Sequence, residues 1–196
     1  MSLQTRVVAI LTKPAEEWRT IAAESATVES LMRDYAAPLA AIPAVCQFIG
    51  MTLVGVPTPI LGTIRIGIVR GLVGAILAWV FALVGAWVAA VVIEKLAPTF
   101  LSRGDTAQAL KLVVYAMTPV WIAGVLNLVP LLAVLGIIAA LYAVYLFYLG
   151  LPVIMATPAD KVIPYMLVSA LVIIVVSVIL GSIAGALGGF GSVATL

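Results

Sequence analysis

Between Leu112 and Leu151 the chain runs for about 40 residues without a charged side chain. As one helix this block would be roughly 60 Å long, about twice the hydrocarbon thickness of a bilayer. It therefore has to double back. The good turn chemistry inside it is "NLVP" at 127–130, where Asn127 and Pro130 can reverse the chain. Composition says what surrounds such a hairpin. The chain is 65% hydrophobic and 9% charged, with a mean hydropathy of +1.30, against roughly a quarter charged in soluble domains. A globule of 196 residues has too little interior to hide that much apolar surface. The expectation is an all-α integral membrane protein.

A spanning helix needs roughly 20 apolar residues. Five stretches qualify: 35–56, 72–93, 110–129, 131–151 and 163–185. They make a five-helix transmembrane domain over 34–196, preceded by an arm over 1–33. Lys and Arg collect on the cytoplasmic side of membrane proteins. With the N-terminus inside, the inner segments and their edges hold eight basic residues: Arg6, Lys13, Arg19, Arg33, Lys95, Arg103, Lys111 and Lys161. The outer segments hold only Arg65 and Arg70. An N-terminus in the cytoplasm and a C-terminus across the membrane follow.

In the arm, "LQTRVVAILTKP" is too short and too interrupted for a signal peptide and reads as an apolar segment in the interface. "TKPAEEWRTIAAE" then starts a helix. Pro14 sits in its first turn, and Glu16 and Glu17 lie near the positive end of the helix dipole. Trp18, Ile21 and Ala22 share a face, with Trp18 placed to anchor among lipid headgroups. A solvated arm is the alternative. The connector "PTPILGTIRIGIVRG" (57–71) is too charged to span and too apolar for an ordinary loop, so an interfacial or re-entrant segment is expected. Arg65 and Arg70 there either meet lipid phosphates or snorkel to water.

Two spans carry small residues at every fourth position: Gly74, Ala78, Ala82, Ala86 and Ala90 in the second, and Ser177, Gly181, Gly185 and Gly189 in the fifth. Such a face lets helix backbones approach closely, within the bundle or against another chain. In the fourth span Tyr142, Tyr145 and Tyr148 share a face. Each phenol needs a partner away from water. Tyr115 and Thr118, with the carbonyl freed by Pro119, are the expected partners in the third span, and an aromatic belt is the other reading.

The functional absences are informative. There is no histidine and one cysteine, Cys46, inside an apolar run, which weighs against a metalloenzyme or histidine-dependent hydrolase. No ionisable residue lies mid-span, which weighs against ion-coupled transport. No phosphate-cradling loop, nucleophile elbow or metal-ligand spacing occurs. No enzymatic activity, cofactor, metal or nucleic acid is expected.

Four stretches nevertheless form a pattern: "KPAEEWRTI" (13–21), "RDYAAPLAAIP" (33–43), "ALKLVVYAMTPVWIAGVLNLVP" (109–130) and "YLFYLGLPVIMATPADKVIPY" (145–165). Together they resemble the Yip membrane proteins, named for Ypt/Rab-interacting protein, and most closely the bacterial branch, over about residues 10 to 185. Asp34, Tyr35 and Pro38 match the signature before the first span, with Ala37 where that signature has glycine. Tyr115, Thr118 and Pro119 match the Tyr-x-x-Thr-Pro signature of the third. The resemblance implies five spans, a cytosolic N-terminus and binding of partners within the membrane. It directs the functional expectation to a scaffold or an assembly or trafficking factor in the bacterial inner membrane. Its partners would be membrane lipids and another membrane protein, or a second copy of itself. The alternative is lipid handling or uncoupled transport.

Overall fold

The computed structural model describes residues 2–58 and 62–189, and the side chains of 58, 176, 177 and 180–189 lie outside that description. The protein is an all-α integral membrane protein with one small hairpin. Helices α1 (Leu3–Thr12) and α2 (Pro14–Ala23) form an antiparallel pair. Ser2 caps α1 by accepting from the Thr5 amide, and Pro14 opens α2 where its missing N–H costs nothing. Among the described residues, four helices are long and apolar enough to cross a bilayer: α3 (Val28–Val54), α4 (Ile68–Phe100), α5 (Thr106–Leu128) and α6 (Pro130–Ile154). A further apolar helix, α7 (Val162–Gly189), follows.

Proline shapes α3 and α5. A Thr27–Ser30 capping box starts α3. The turn at Leu31–Ala36 is then widened, with the Ala37 amide reaching back to the Met32 carbonyl. Pro38 explains this, since it has no N–H to give Asp34 and its ring crowds that carbonyl. In α5 the break falls at Met117, and Pro119 opens the second half. The chain reverses at Val129, extended at φ −117 and ψ 101, within the expected 127–130 turn.

The connector departs from expectation. Val56–Thr58 (β1) pairs antiparallel with Gly62–Ile64 (β2), in the register Val56↔Ile64. Helix α4 then starts at Ile68, four residues before the expected 72. Gly55 makes the corner at φ 82, where a Cβ would strike the Ile64 carbonyl at 2.7 Å.

The bundle has two distinct ends. At the first, the loop after α4 lies beside the loop after α6: the Arg103 amide donates to the Met155 carbonyl at 2.7 Å, and Ser102 and Thr157 hydroxyls meet at 2.8 Å. The arm also packs there. At the second end sits the β-hairpin, near the α5–α6 turn, where Gly50 of α3 lies so close that a Cβ would be 2.0 Å from the Asn127 carbonyl oxygen. The eight basic residues counted on one side thus gather at the arm end, and Arg65 and Arg70 at the hairpin end. Between the ends, α4, α6 and α7 turn large apolar side chains outward, among them Val69, Ile138, Leu141 and Leu171. These suit a hydrocarbon solvent.

The arm lies against protein rather than apart from it. Ile10, Trp18 and Ile21 are fully buried in the same core as Leu112, Val114, Leu146 and Leu151. Trp18, expected among headgroups, instead packs against Gly150, where a Cβ would lie 2.7 Å from its ring. An apolar helical face does not reveal whether lipid or protein will cover it.

Candidate functional site

The first-span and third-span signatures, 83 residues apart, meet. The Tyr35 hydroxyl and the Thr118 Oγ1 are 2.7 Å apart and buried. The Tyr35 and Tyr115 rings tilt against each other, 4.4 Å between centroids. Trp18 meets Tyr115 edge-on at 6.3 Å. Tyr115 and Thr118 reach the same neighbour because they stand one turn apart on either side of the Met117 break. Thr118 also lies 3.5 Å from the Val114 carbonyl, and Pro119 is buried behind it. Asp34 and Pro38 stay exposed at this junction.

Above these rings the arm brings charge into the protein. Arg6, 5% exposed, bonds both Glu17 and Glu24 through its two terminal nitrogens and lies 5.8 Å from the Tyr115 ring centre. Burial alone would lower the Arg6 pKa. The hydrogen bond to Glu24 and the charges of Tyr115, Glu17 and Glu24 outweigh it, so the pKa rises and Arg6 stays a cation. Lys111 is 2% exposed and donates to two arm carbonyls, Ile21 at 3.1 Å and Glu24 at 2.6 Å. Lys111 was legible only as one more charge at a span edge, and Arg6 and Glu24 only as charges in the arm. Their burial depends on how the arm folds back, which no local pattern records.

A cavity of about 550 Å³ opens where the arm meets α3, lined by Ser2, Arg6, Glu24, Asp34, Tyr35 and Tyr115 among others. A second, of about 550 Å³, is a groove between α3 and α4 lined by Gln47, Phe48, Met51, Arg70, Gly74 and Ala78 among others.

The other expected residues divide. Tyr142 donates to the Leu11 carbonyl of the arm at 2.8 Å rather than to α5, while Tyr145 and Tyr148 are exposed. The partner of Thr118 therefore comes from the first span, not the fourth. On α4, Ala86 and Ala90 are buried inside the bundle and Ala82 partly so, but Gly74 and Ala78 are exposed. Nothing stands within 4 Å of a Cβ built at Gly74. Ser177, Gly181 and Gly185 lie outside the described side chains. Arg65 and Arg70 are exposed, with no ion pair or hydrogen bond among the described residues. Glycines that the spacing of four did not mark turn out to be close contacts: besides Gly50 and Gly150, a Cβ at Gly124 would lie 2.5 Å from Pro43.

A family model, the Yip1 domain, matches residues 8–181. The chain belongs to the Yip1 domain family. The Yip1 match takes in Glu17, Glu24, Tyr35, Lys111, Tyr115 and Thr118, and begins just after Arg6. Over 151 residues this Yip1 domain protein is 28% identical to "Inner membrane protein YohC" of Escherichia coli strain K12, covering 76% of this chain and 77% of that protein. The same identity and coverage hold for the protein of that name in Escherichia coli O6:H1 strain CFT073. No solved structure matches the chain significantly.

Proposed function

We propose that this Yip1 domain protein is a non-enzymatic scaffold or assembly factor of the bacterial inner membrane, holding another membrane protein, or a second copy of itself, by helix packing within the bilayer. In this reading α7 completes five spans, the arm end faces the cytoplasm and the C-terminus lies across the membrane. The observation that carries the reading is the divided small-residue face of α4. Ala86 and Ala90 are used inside the bundle, whereas Gly74 and Ala78, on the same i, i+4 row as it winds round the helix, stand in open space at the α3–α4 groove. Small residues facing lipid gain nothing from lipid, but they admit the backbone of a neighbouring helix. A photo-crosslinking residue at position 78, in native membranes, is expected to give a discrete protein adduct, and one at Ile138 to give none. Equal labelling at both positions, or lipid adducts only, would overturn the reading.

A second reading, lipid handling or uncoupled transport, draws on Arg65 and Arg70. Both stand exposed at the hairpin end, Arg70 on the wall of the groove, with no acidic partner among the described residues. Reconstitution separates the two: lipid scrambling or solute flux no faster than in protein-free liposomes removes the second.

A further inference from the structure

We propose that the groove between α3 and α4 is a binding site for an anionic phospholipid, its phosphate held at the mouth by Arg70 and an acyl chain laid along the two helices. The mouth is built by the hairpin end. There the Ile66 amide donates to the Met51 carbonyl at 3.0 Å, and both residues line the groove beside Arg70. A Cβ at Gly71 would lie 2.7 Å from Thr52 Oγ1 and 3.1 Å from the Phe48 ring, so α3 and α4 touch at that level. Deeper in, nothing stands within 4 Å of a Cβ at Gly74, and the groove is open. Arg70 lies in the first turn of α4, exposed and without an acidic partner among the described residues. The wall beyond it is apolar, with Phe48, Val73 and Leu77. It runs to Ala78, about 12 Å along the helix axis from Arg70.

The independent observation is Gln47. It stands in the apolar run of α3, exposed on the groove wall, and its amide has no hydrogen-bond partner among the described residues. A polar group turned toward hydrocarbon costs free energy until it finds a partner. Gln47 is one turn of α3, about 6 Å, deeper than Met51 at the mouth. A glycerophospholipid offers matching groups in the same order: a phosphate, then ester carbonyls that accept hydrogen bonds, then hydrocarbon. Arginine suits the phosphate and an amide N–H suits an ester carbonyl. A free phosphate would leave Gln47 and the apolar wall unused, and a hydrocarbon chain alone would leave Arg70 without a counter-charge. A zwitterionic headgroup brings a cation of its own to an arginine. A second copy in the same orientation has no Asp or Glu at the hairpin end to meet Arg70.

This lipid site does not rest on helix docking at Gly74 and Ala78. A docked helix and an acyl chain would compete for the same space, so the lipid fills the groove when no helix is there. The test uses the purified full chain in phosphatidylcholine nanodiscs, where no other membrane protein is present. The probe is phosphatidylglycerol with a diazirine on its acyl chain, and the reference probe is phosphatidylcholine with the same chain. Adducts are mapped by mass spectrometry after irradiation. Arg70→Gln and Gly74→Phe, both at exposed positions, are the variants. The phosphatidylglycerol probe is expected to label the groove walls, 47–51 and 70–78, about tenfold more than the reference probe. That preference is expected to vanish in Arg70→Gln, and groove labelling by both probes to fall in Gly74→Phe. The α6 surface around Ile138, exposed to bulk lipid, is expected to label equally with both probes. Equal groove labelling by the two probes, or a preference unchanged in Arg70→Gln, would overturn the proposal. Absence of groove adducts from a chain that elutes as a dimer would assign the groove to a second copy and overturn it as well.

Discussion

Gly150 offers the sharpest perturbation. A Cβ there would lie 2.7 Å from Trp18 Cε2 and Cζ2 and from Leu112 Cδ1. Trp18 and Leu112 are both fully buried, so neither has space to yield. Crowding of this kind costs about 1–3 kcal/mol. Gly→Ala in a helix returns at most about 1 kcal/mol. In Gly150→Ala the net penalty falls on the arm, because α6 is fixed in the bundle on several sides and Trp18 of α2 stands against Gly150. The difference, about 1 kcal/mol, multiplies the undocked fraction about fivefold. Arg19 reports it. It is exposed on α2, trypsin cuts after it only when the helix opens, and Pro14 protects the Lys13 bond. Cleavage tracks the open population when reclosing is fast. The assay is tryptic digestion of the protein in mild detergent, followed by mass spectrometry of the released N-terminal fragment. Gly150→Ala is expected to release it about fivefold faster than wild type. Gly74→Ala, with nothing within 4 Å, is expected to leave the rate unchanged. Equal rates for wild type and Gly150→Ala would refute the close arm–bundle packing.

Lys111→Met leaves the Glu24 carbonyl without its donor and the Ile21 carbonyl with only the Glu24 amide at 3.3 Å, and is expected to cost about 1–3 kcal/mol, read as a lower thermal midpoint in detergent and faster cleavage at Arg19. Tyr35→Phe removes the hydroxyl that meets Thr118 and is expected to cost about 1 kcal/mol in SDS-titrated unfolding. Thr118→Val should cost a similar amount, and the double variant less than the sum, whereas strict additivity would deny the contact. Tyr142→Phe unpairs the Leu11 carbonyl and is expected to raise hydrogen exchange in α1 while leaving α7 unaffected.

What could be read in advance was whatever a short window determines. The uncharged run after Leu112 demanded a reversal, and Asn127 and Pro130 said where. Pro119 marked a lost helix hydrogen bond in α5, and the break falls two residues before it, because a missing N–H acts locally. The hairpin at 56–64 was missed because three-residue strands carry almost no period. The partner of Thr118 was assigned to α6, since tyrosines on one face of a neighbouring span look alike. Which neighbour supplies the hydroxyl depends on helix rotation, and that is set by contacts such as Gly124 against Pro43. Trp18, Arg6 and Lys111 share a cause. Periodicity shows on which side of a helix a residue lies, but not whether another part of the chain later covers that side.

The hydrogen bond from Tyr142 to the Leu11 carbonyl joins residues 131 positions apart. At about 5–20 residues per second, a ribosome takes roughly 7 to 26 seconds to travel that distance. Throughout that interval the arm has been synthesised and its docking surface has not. Nascent chains therefore carry Trp18, Ile10 and Ile21 without their final cover, beside an arginine whose two glutamate partners have already been made. The cover of Trp18 is complete only once Gly150, against which it packs, has been made.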